Sequence, residues 1–210
     1  MGQYYNPSIL KKNWKQAKNP VEVSLKCYDF GNGAKLMEHS YVHNRFVEAN
    51  MYLLGEDYFG HPFVWCGDYA DSVTTNTGEH NIWNDAENFM YEDKNGEYVD
   101  TRAYKKLVES LPKAEDMPQY KYIVNLTKKQ IAEIPEFKEN EWTVHPLPLL
   151  TCAGNSLGGG DYRLQNETYD YEKDTRIGSW AFDRIGAAND VSEYVKRGFE
   201  FVDGFFKDDY

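Results

Sequence analysis

Residues 21–28 alternate strictly between two faces. Val21, Val23, Leu25 and Cys27 fall on one side, and Glu22, Ser24, Lys26 and Tyr28 on the other. A period of two marks a half-buried strand. Gly31-Asn32-Gly33 follows and Ala34-Lys35-Leu36-Met37 runs on, so the pattern predicts a β-hairpin with a glycine turn. The period then changes. Val42, Phe46, Val47, Met51 and Leu54 recur at helical spacing, with Ser40 as cap and Gly55 as stop. Pro62-Phe63-Val64-Trp65-Cys66 is a short apolar run and predicts a buried strand.

The middle of the chain is more polar. Residues 67–100 are rich in turn formers, with one short helix through Ile82, Trp83, Ala86, Phe89 and Met90. Tyr104, Leu107, Val108 and Leu111 predict a second helix, capped by Asp100 or Thr101 and stopped by Pro112. Residues 112–119 form a connector. A strand is predicted over 120–126, then a turn or short helix from Thr127 to Pro135. Residues 142–152 read as extended, with Pro146 and Pro148 placing them at a sheet edge. Glycines dominate 154–160, and 177–185 predicts a further strand. Asp190 and Glu193 resemble a capping pair for a last helix whose apolar face is Val191, Tyr194, Val195, Phe199 and Val202. The tail from Lys207 to Tyr210 is expected to fray.

These elements predict the α+β class: a mixed or antiparallel sheet with packed helices, in a single compact domain over 1–210. Landmarks recur in order along the chain. Tyr5 precedes the pair Lys11-Lys12 by the same interval as Tyr122 precedes Lys128-Lys129, and His39 is followed by His145. Trp65-Cys66-Gly67-Asp68 is echoed by Trp180-Ala181-Phe182-Asp183. Two related halves, 1–70 and 119–190, with an insertion at 71–118, are the corresponding expectation. A cleft between such halves is a common place for a ligand.

Composition narrows the function. Hydrophobic residues make up 41% and aromatics 16%, enough for a core, and the 17 Tyr suit sheet surfaces with a polar rim. The net charge of −11, with no basic run longer than two residues, argues against direct nucleic-acid binding. An acidic chain instead favours solubility, a basic protein partner or cations. The 3 Cys (Cys27, Cys66, Cys152) are far apart and lack a C-x-x-C pair, so buried reduced thiols are expected, without zinc or dithiol chemistry. Cys152 has no evident base beside it to make it a nucleophile. Met1-Gly2-Gln3-Tyr4-Tyr5-Asn6 predicts neither a secretory leader nor a myristoyl site. No apolar run approaches a membrane span, so a cytoplasmic protein is expected.

The segment Gly154-Asn155-Ser156-Leu157-Gly158-Gly159-Gly160-Asp161-Tyr162-Arg163 is the main candidate for chemistry. Consecutive glycines let backbone N–H groups converge on an anion, and Arg163 would add a bidentate charge. No Gly-Lys-Ser/Thr follows, so it is not a nucleotide P-loop. A glycine-rich turn with no ligand is the plainer alternative. Trp65, Asp68 and Tyr69 at the end of one predicted strand, with Trp180 and Asp183 in its echo, would line the same cleft. Asp68, Asp161 and Asp183 would meet there as a cation or acid–base cluster if the fold brings them together. His39 and His43, four apart beside Glu38, would suit two metal ligands on a helix face, with Asp68 and Asp71 to complete a site. The His-Glu-x-x-His signature is missing, and a surface or hydrogen-bonded core histidine is the plainer reading.

Several motifs resemble a family of small bacteriophage and prophage proteins of unknown function. They are Gly2-Gln3-Tyr4-Tyr5, Lys35-Leu36-Met37-Glu38-His39-Ser40, Trp65-Cys66-Gly67-Asp68-Tyr69-Ala70 and Val124-Asn125-Leu126-Thr127-Lys128-Lys129. His145-Pro146-Leu147-Pro148-Leu149-Leu150-Thr151, Gly158-Gly159-Gly160-Asp161-Tyr162 and Gly178-Ser179-Trp180-Ala181 continue them. The resemblance covers most of the chain outside about 71–118. It implies a phage or mobile-element origin and action in a host cytoplasm, and supplies no activity. The expectation is therefore a phage-type accessory protein, more a binder than an enzyme and without a cofactor. It would bind a small anionic ligand such as a nucleotide at Gly158, Gly159, Gly160, Asp161, Tyr162, Arg163, Trp65, Asp68, Tyr69, Trp180 and Asp183. An acidic inhibitor docking on a host protein and a metal-dependent hydrolase are the alternatives.

Overall fold

The computed structural model describes residues 3–88, 102–136, 143–154 and 176–202. The first half contributes β1 (Tyr5–Leu10), β2 (Val21–Val23), α1 (Leu36–His39), α2 (Arg45–Gly55) and β3 (His61–Gly67). A small hairpin of β4 (Val73–Thr75) and β5 (Gly78–His80) leads into α3 (Ile82–Asn88), and α4 (Arg102–Ser110) follows. The second half contributes β6 (Tyr122–Asn125), β7 (Gln130–Glu133), α5 (Pro146–Thr151), β8 (Cys152–Ala153), β9 (Arg184–Ala188), α6 (Ser192–Lys196) and β10 (Glu200–Phe201). The class is α+β, as the patterning predicts.

The main sheet runs β10-β7-β6-β9-β3-β1-β2, with β8 pairing β3 beside β9. It is mixed. The β3–β8 and β7–β10 pairs are parallel and the others antiparallel. Central strand β3 is covered on both faces, which explains its unbroken apolar run. Phe63 and Trp65 face the main core with Phe46, Val47, Met51 and Leu54 of α2. Val64 and Cys66 face a second core with Leu10, Trp14, Val21 and, from α3, Ile82 and Ala86. Val124, Ile131, Val191 and Phe199 form a third.

Several predicted elements change. The 21–28 strand stops at Val23, Cys27–Phe30 is a 3-10 turn, and Gly31 at φ 71 ends it. Residues 34–37 are no hairpin arm. The Glu38 carboxylate accepts from the Lys35 N–H at 3.0 Å and starts the single helical turn α1, while β1 takes the place beside β2. Helix α2 begins later than predicted, because Asn44 rather than Ser40 caps it, accepting from the Phe46 N–H at 2.9 Å. Residues 130–133 are a strand, not a helix: Ile131 and Ala132 pair with Val124 and Ile123 across a turn closed by Lys129 at φ 56.

Residues 146–151 are a helix, not an extended edge. Pro146 and Pro148 lie in its first turn, where a missing N–H costs nothing. His145 Nδ1 caps it by accepting from the Leu147 N–H at 3.1 Å. Turns occupy 176–182, and β9 begins at Arg184. The last helix ends at Lys196, before Gly198 at φ 79, and the chain then joins the sheet as β10. Phe89, Met90, Asp100, Thr101, Trp142 and the 207–210 tail lie outside the described residues.

The strand order has a twofold pattern about the β3–β9 pair. The antiparallel series β2-β1-β3 on one side matches β7-β6-β9 on the other. Tyr5 opens β1 as Tyr122 opens β6, and a lysine pair follows each strand. The Trp echo does not share this register. Tyr5 pairs with Gly67 and Tyr122 with Ala188, so Gly186, not Trp180, occupies the place of Trp65.

Candidate functional site

Three chain segments meet at one edge of the sheet. Tyr5 pairs with Gly67 antiparallel, and Cys66 pairs with Ala153 parallel. The start of β1 and the ends of β3 and β8 are therefore neighbours. The contact continues one step, since the Asp68 N–H donates to the Tyr4 carbonyl at 2.9 Å and the Asp68 carboxylate accepts from the Tyr4 N–H at 3.1 Å. Gln3 lies buried in this corner. Its Oε1 accepts from the Tyr5 hydroxyl at 2.7 Å, and its Nε2 has no partner among the described residues.

Glycine backbone flanks the Gln3 amide on both sides. A Cβ at Gly67 would stand 2.6 Å from Gln3 Nε2, and one at Gly154 would stand 2.4 Å from Gln3 Oε1. The side-chain amide is thus sandwiched between two bare backbones. Gly154 is also the residue from which the glycine-rich segment departs. Gly158, Gly159, Gly160, Asp161, Tyr162 and Arg163 lie outside the described residues.

The structure separates the remaining predicted residues. Asp68 and Tyr69 are half-buried at this edge, with Tyr4 exposed beside them. Trp65 is fully buried, packed edge-on against Phe46 and Phe63, and Trp180 is buried with its Nε1 donating to Gln130 Oε1 at 2.8 Å. Both indoles are core, so neither offers a free face for stacking. Asp183 belongs to the opposite end of β3: its carbonyl accepts from the Phe63 N–H, whereas Asp68 follows Gly67. Its carboxylate accepts from Asn125 Nδ2 at 2.9 Å and lies 3.7 Å from Lys128 Nζ. Asp68 and Asp183 therefore do not converge.

The histidine pair is also divided. His39 has both ring nitrogens engaged, Nδ1 with the Gly33 carbonyl at 2.9 Å and Nε2 with Trp65 Nε1 at 3.0 Å. Burial lowers its pKa to about 4. His43 Nδ1 stands 3.2 Å from Glu48 Oε1. Among the described residues no group of three His, Cys, Asp or Glu side chains could hold a metal ion. Cys27, Cys66 and Cys152 are free buried thiols, and burial pushes Cys152 up to about 12.

Sequence patterning missed a second polar group. Asn6 and Lys26 both donate to Glu87 Oε1, at 2.7 and 2.6 Å, and Ser8 and Ser24 are buried near them in the chain. The available signal was a polar alternation, Asn6-x-Ser8 and Ser24-x-Lys26, which patterning assigns to solvent. No family model matches the chain, and no curated protein or solved structure matches it. Function therefore rests on the geometry of these residues. No helix among the described residues is long and apolar enough to cross a membrane.

Proposed function

We propose that the protein binds a small anionic ligand, such as a nucleotide, at the sheet edge where Gln3, Gly67, Asp68 and Gly154 meet. The observation that carries this reading is the buried Gln3 Nε2 donor, between two glycines and without a partner among the described residues. A buried amide N–H is costly to leave unpaired, by about 1–3 kcal/mol, and a ligand oxygen would satisfy it. The sequence that follows Gly154 supplies the rest in this reading: glycine amides for the anion and Arg163 for a bidentate contact. The aromatic contact falls to Tyr4 and Tyr69, because Trp65 and Trp180 are enclosed. A role as a phage-type accessory protein in a host cytoplasm accords with the sequence resemblance.

The test is calorimetric titration with adenosine monophosphate and with inorganic phosphate, preceded by native mass spectrometry of gently purified protein. Excess mass matching a nucleotide, or saturable binding that Gln3→Leu and Arg163→Ala each weaken, supports the reading. Binding that is indifferent to both substitutions, or none at millimolar ligand, overturns it.

A further inference from the structure

Beneath α3, Asn6 and Ser8 of β1 and Ser24 and Lys26 just after β2 make a polar stretch beside an apolar core. Asn6 and Ser8 alternate along β1 opposite Cys66 and Val64, which belong to the core under Ile82 and Ala86. Ile9 pairs with Val23, so Ser8 and Ser24, then Asn6 and Lys26, are the next positions along the two chain paths. All are buried, and Asn6, the most open of them, is 4% exposed. Lys26 Nζ also reaches the Ala86 carbonyl at 3.4 Å. The Ser8 and Ser24 hydroxyls have no partner among the described residues. Tyr104 closes one side, its hydroxyl accepting from the Lys26 N–H and donating to Asp29 at 2.5 Å.

Glu87 differs from its partners. Its side chain is 42% exposed, while that of Lys26 is 2% exposed. One carboxylate oxygen held between a buried ammonium and a buried amide, with two spare hydroxyls beyond, is the arrangement a bound carboxylic acid would adopt. We propose that Asn6, Ser8, Ser24 and Lys26 form a second binding site, for a small hydroxy-carboxylate, and that Glu87 holds its carboxylate position until ligand displaces it. The exchange keeps Lys26 paired, so no buried charge is stranded. Glu87, already half in water, hydrates readily, and the serine hydroxyls gain partners that they lack among the described residues. Burial lowers the Lys26 pKa and Glu87 opposes that shift, so the ammonium depends on a carboxylate at this point. This site is separate from the Gln3 corner and stands or falls without it.

The experiment removes the resident carboxylate. Glu87→Ala and Glu87→Gln proteins are titrated with sodium glycolate by calorimetry and by thermal melting, with sodium chloride at equal ionic strength as control. The expected result is glycolate binding at least about tenfold tighter than to the parent chain, with a saturable rise in melting temperature that chloride does not produce. Adding Ser8→Ala and Ser24→Ala to either variant is expected to weaken glycolate binding by about tenfold while leaving acetate binding unchanged. Glu87→Gln keeps the side-chain shape and provides a folded test if Glu87→Ala does not fold. Equal responses to glycolate and chloride, or glycolate affinity indifferent to the serine changes, would show that Lys26–Glu87 is a structural ion pair and overturn the proposal.

Discussion

The indole Nε1 of Trp65 donates to Nε2 of His39 at 3.0 Å, deep in the core. An indole N–H can only donate, so Nε2 must accept. His39 therefore carries its proton on Nδ1 and donates it to the Gly33 carbonyl. The ring is stacked on Trp65 and edge-on to Phe46. One neutral histidine thus ties the glycine turn at 31–33 to the central strand.

That neutrality makes stability depend on pH. His39 is held near 4 in the folded protein, against an ordinary value of 6.5. His145, fully buried, is held near 3. Between about 6.5 and these values the unfolded chain binds more protons than the folded one, so stability falls as pH drops through that window. It is fully present above about 6.5. For His39 alone the loss by pH 4 is on the order of 3 kcal/mol. Urea unfolding at pH 7.5 and pH 5 should show a lower midpoint at pH 5. A His39→Phe protein should be weaker by roughly 2–4 kcal/mol at pH 7.5 with a shallower pH slope. An unchanged slope would show that His39 is not one of the titrating groups.

Gly178 sits at φ 67, and a Cβ there would lie 2.4 Å from the backbone carbonyl oxygen of Cys152. Both the left-handed backbone and the close approach forbid a side chain. Gly178→Ala should destabilise by about 2–4 kcal/mol, because the obstructing atom belongs to strand β8 and cannot rotate away. A melting temperature within a degree or two of the parent would contradict this close approach.

Asn125 organises the β6–β7 turn. Its Oδ1 accepts from the N–H groups of Thr127 and Lys128, each at 2.9 Å, and its Nδ2 donates to Asp183. Asn125→Ala removes the acceptor of two turn amides and one donor from the Asp183 carboxylate, which keeps Lys128 nearby, and should cost about 2–3 kcal/mol in chemical denaturation. Amide hydrogen exchange should quicken first at Thr127 and Lys128. Slow exchange there in the variant would mean that the turn holds itself.

The thiols should be inert in the native state. Burial pushes Cys66 and Cys152 up to about 12 and raises Cys27 as well. At pH 8 the thiolate fraction of the first two is then only about one part in ten thousand. Iodoacetamide followed by mass spectrometry should label none of the three quickly in native protein and all of them in urea. Rapid native labelling of Cys152 would contradict its enclosure.

Periodicity located much of the fold. The apolar run at 62–66 is the central strand because α2 and α3 cover both its faces, and both helices were legible from their spacing. It failed at 146–151, where prolines that suit an edge strand equally suit a first helical turn. It failed again at 130–135, where pairing with β6 overrode any local preference. Of the candidate site, the strand-end positions of Asp68 and Tyr69 were legible, while the burial of Gln3 against Gly67 and Gly154 was not, because it depends on three segments distant in the chain.

The sequence by itself determined the class of fold, the burial of the α2 face and the presence of a glycine-bearing turn at 31–33. These follow from spacing and backbone permissiveness, which neighbouring residues decide among themselves. Only the tertiary structure decided that Ser24 and Lys26 are buried, that Trp65 and Trp180 are core rather than ligand contacts, and that Asp68 and Asp183 stand at opposite ends of β3. Alternation tells which side chains share a face, but whether that face meets water depends on segments distant in the chain. For Lys26 the deciding residue was Glu87, brought to it by helix α3, which lies far along the chain.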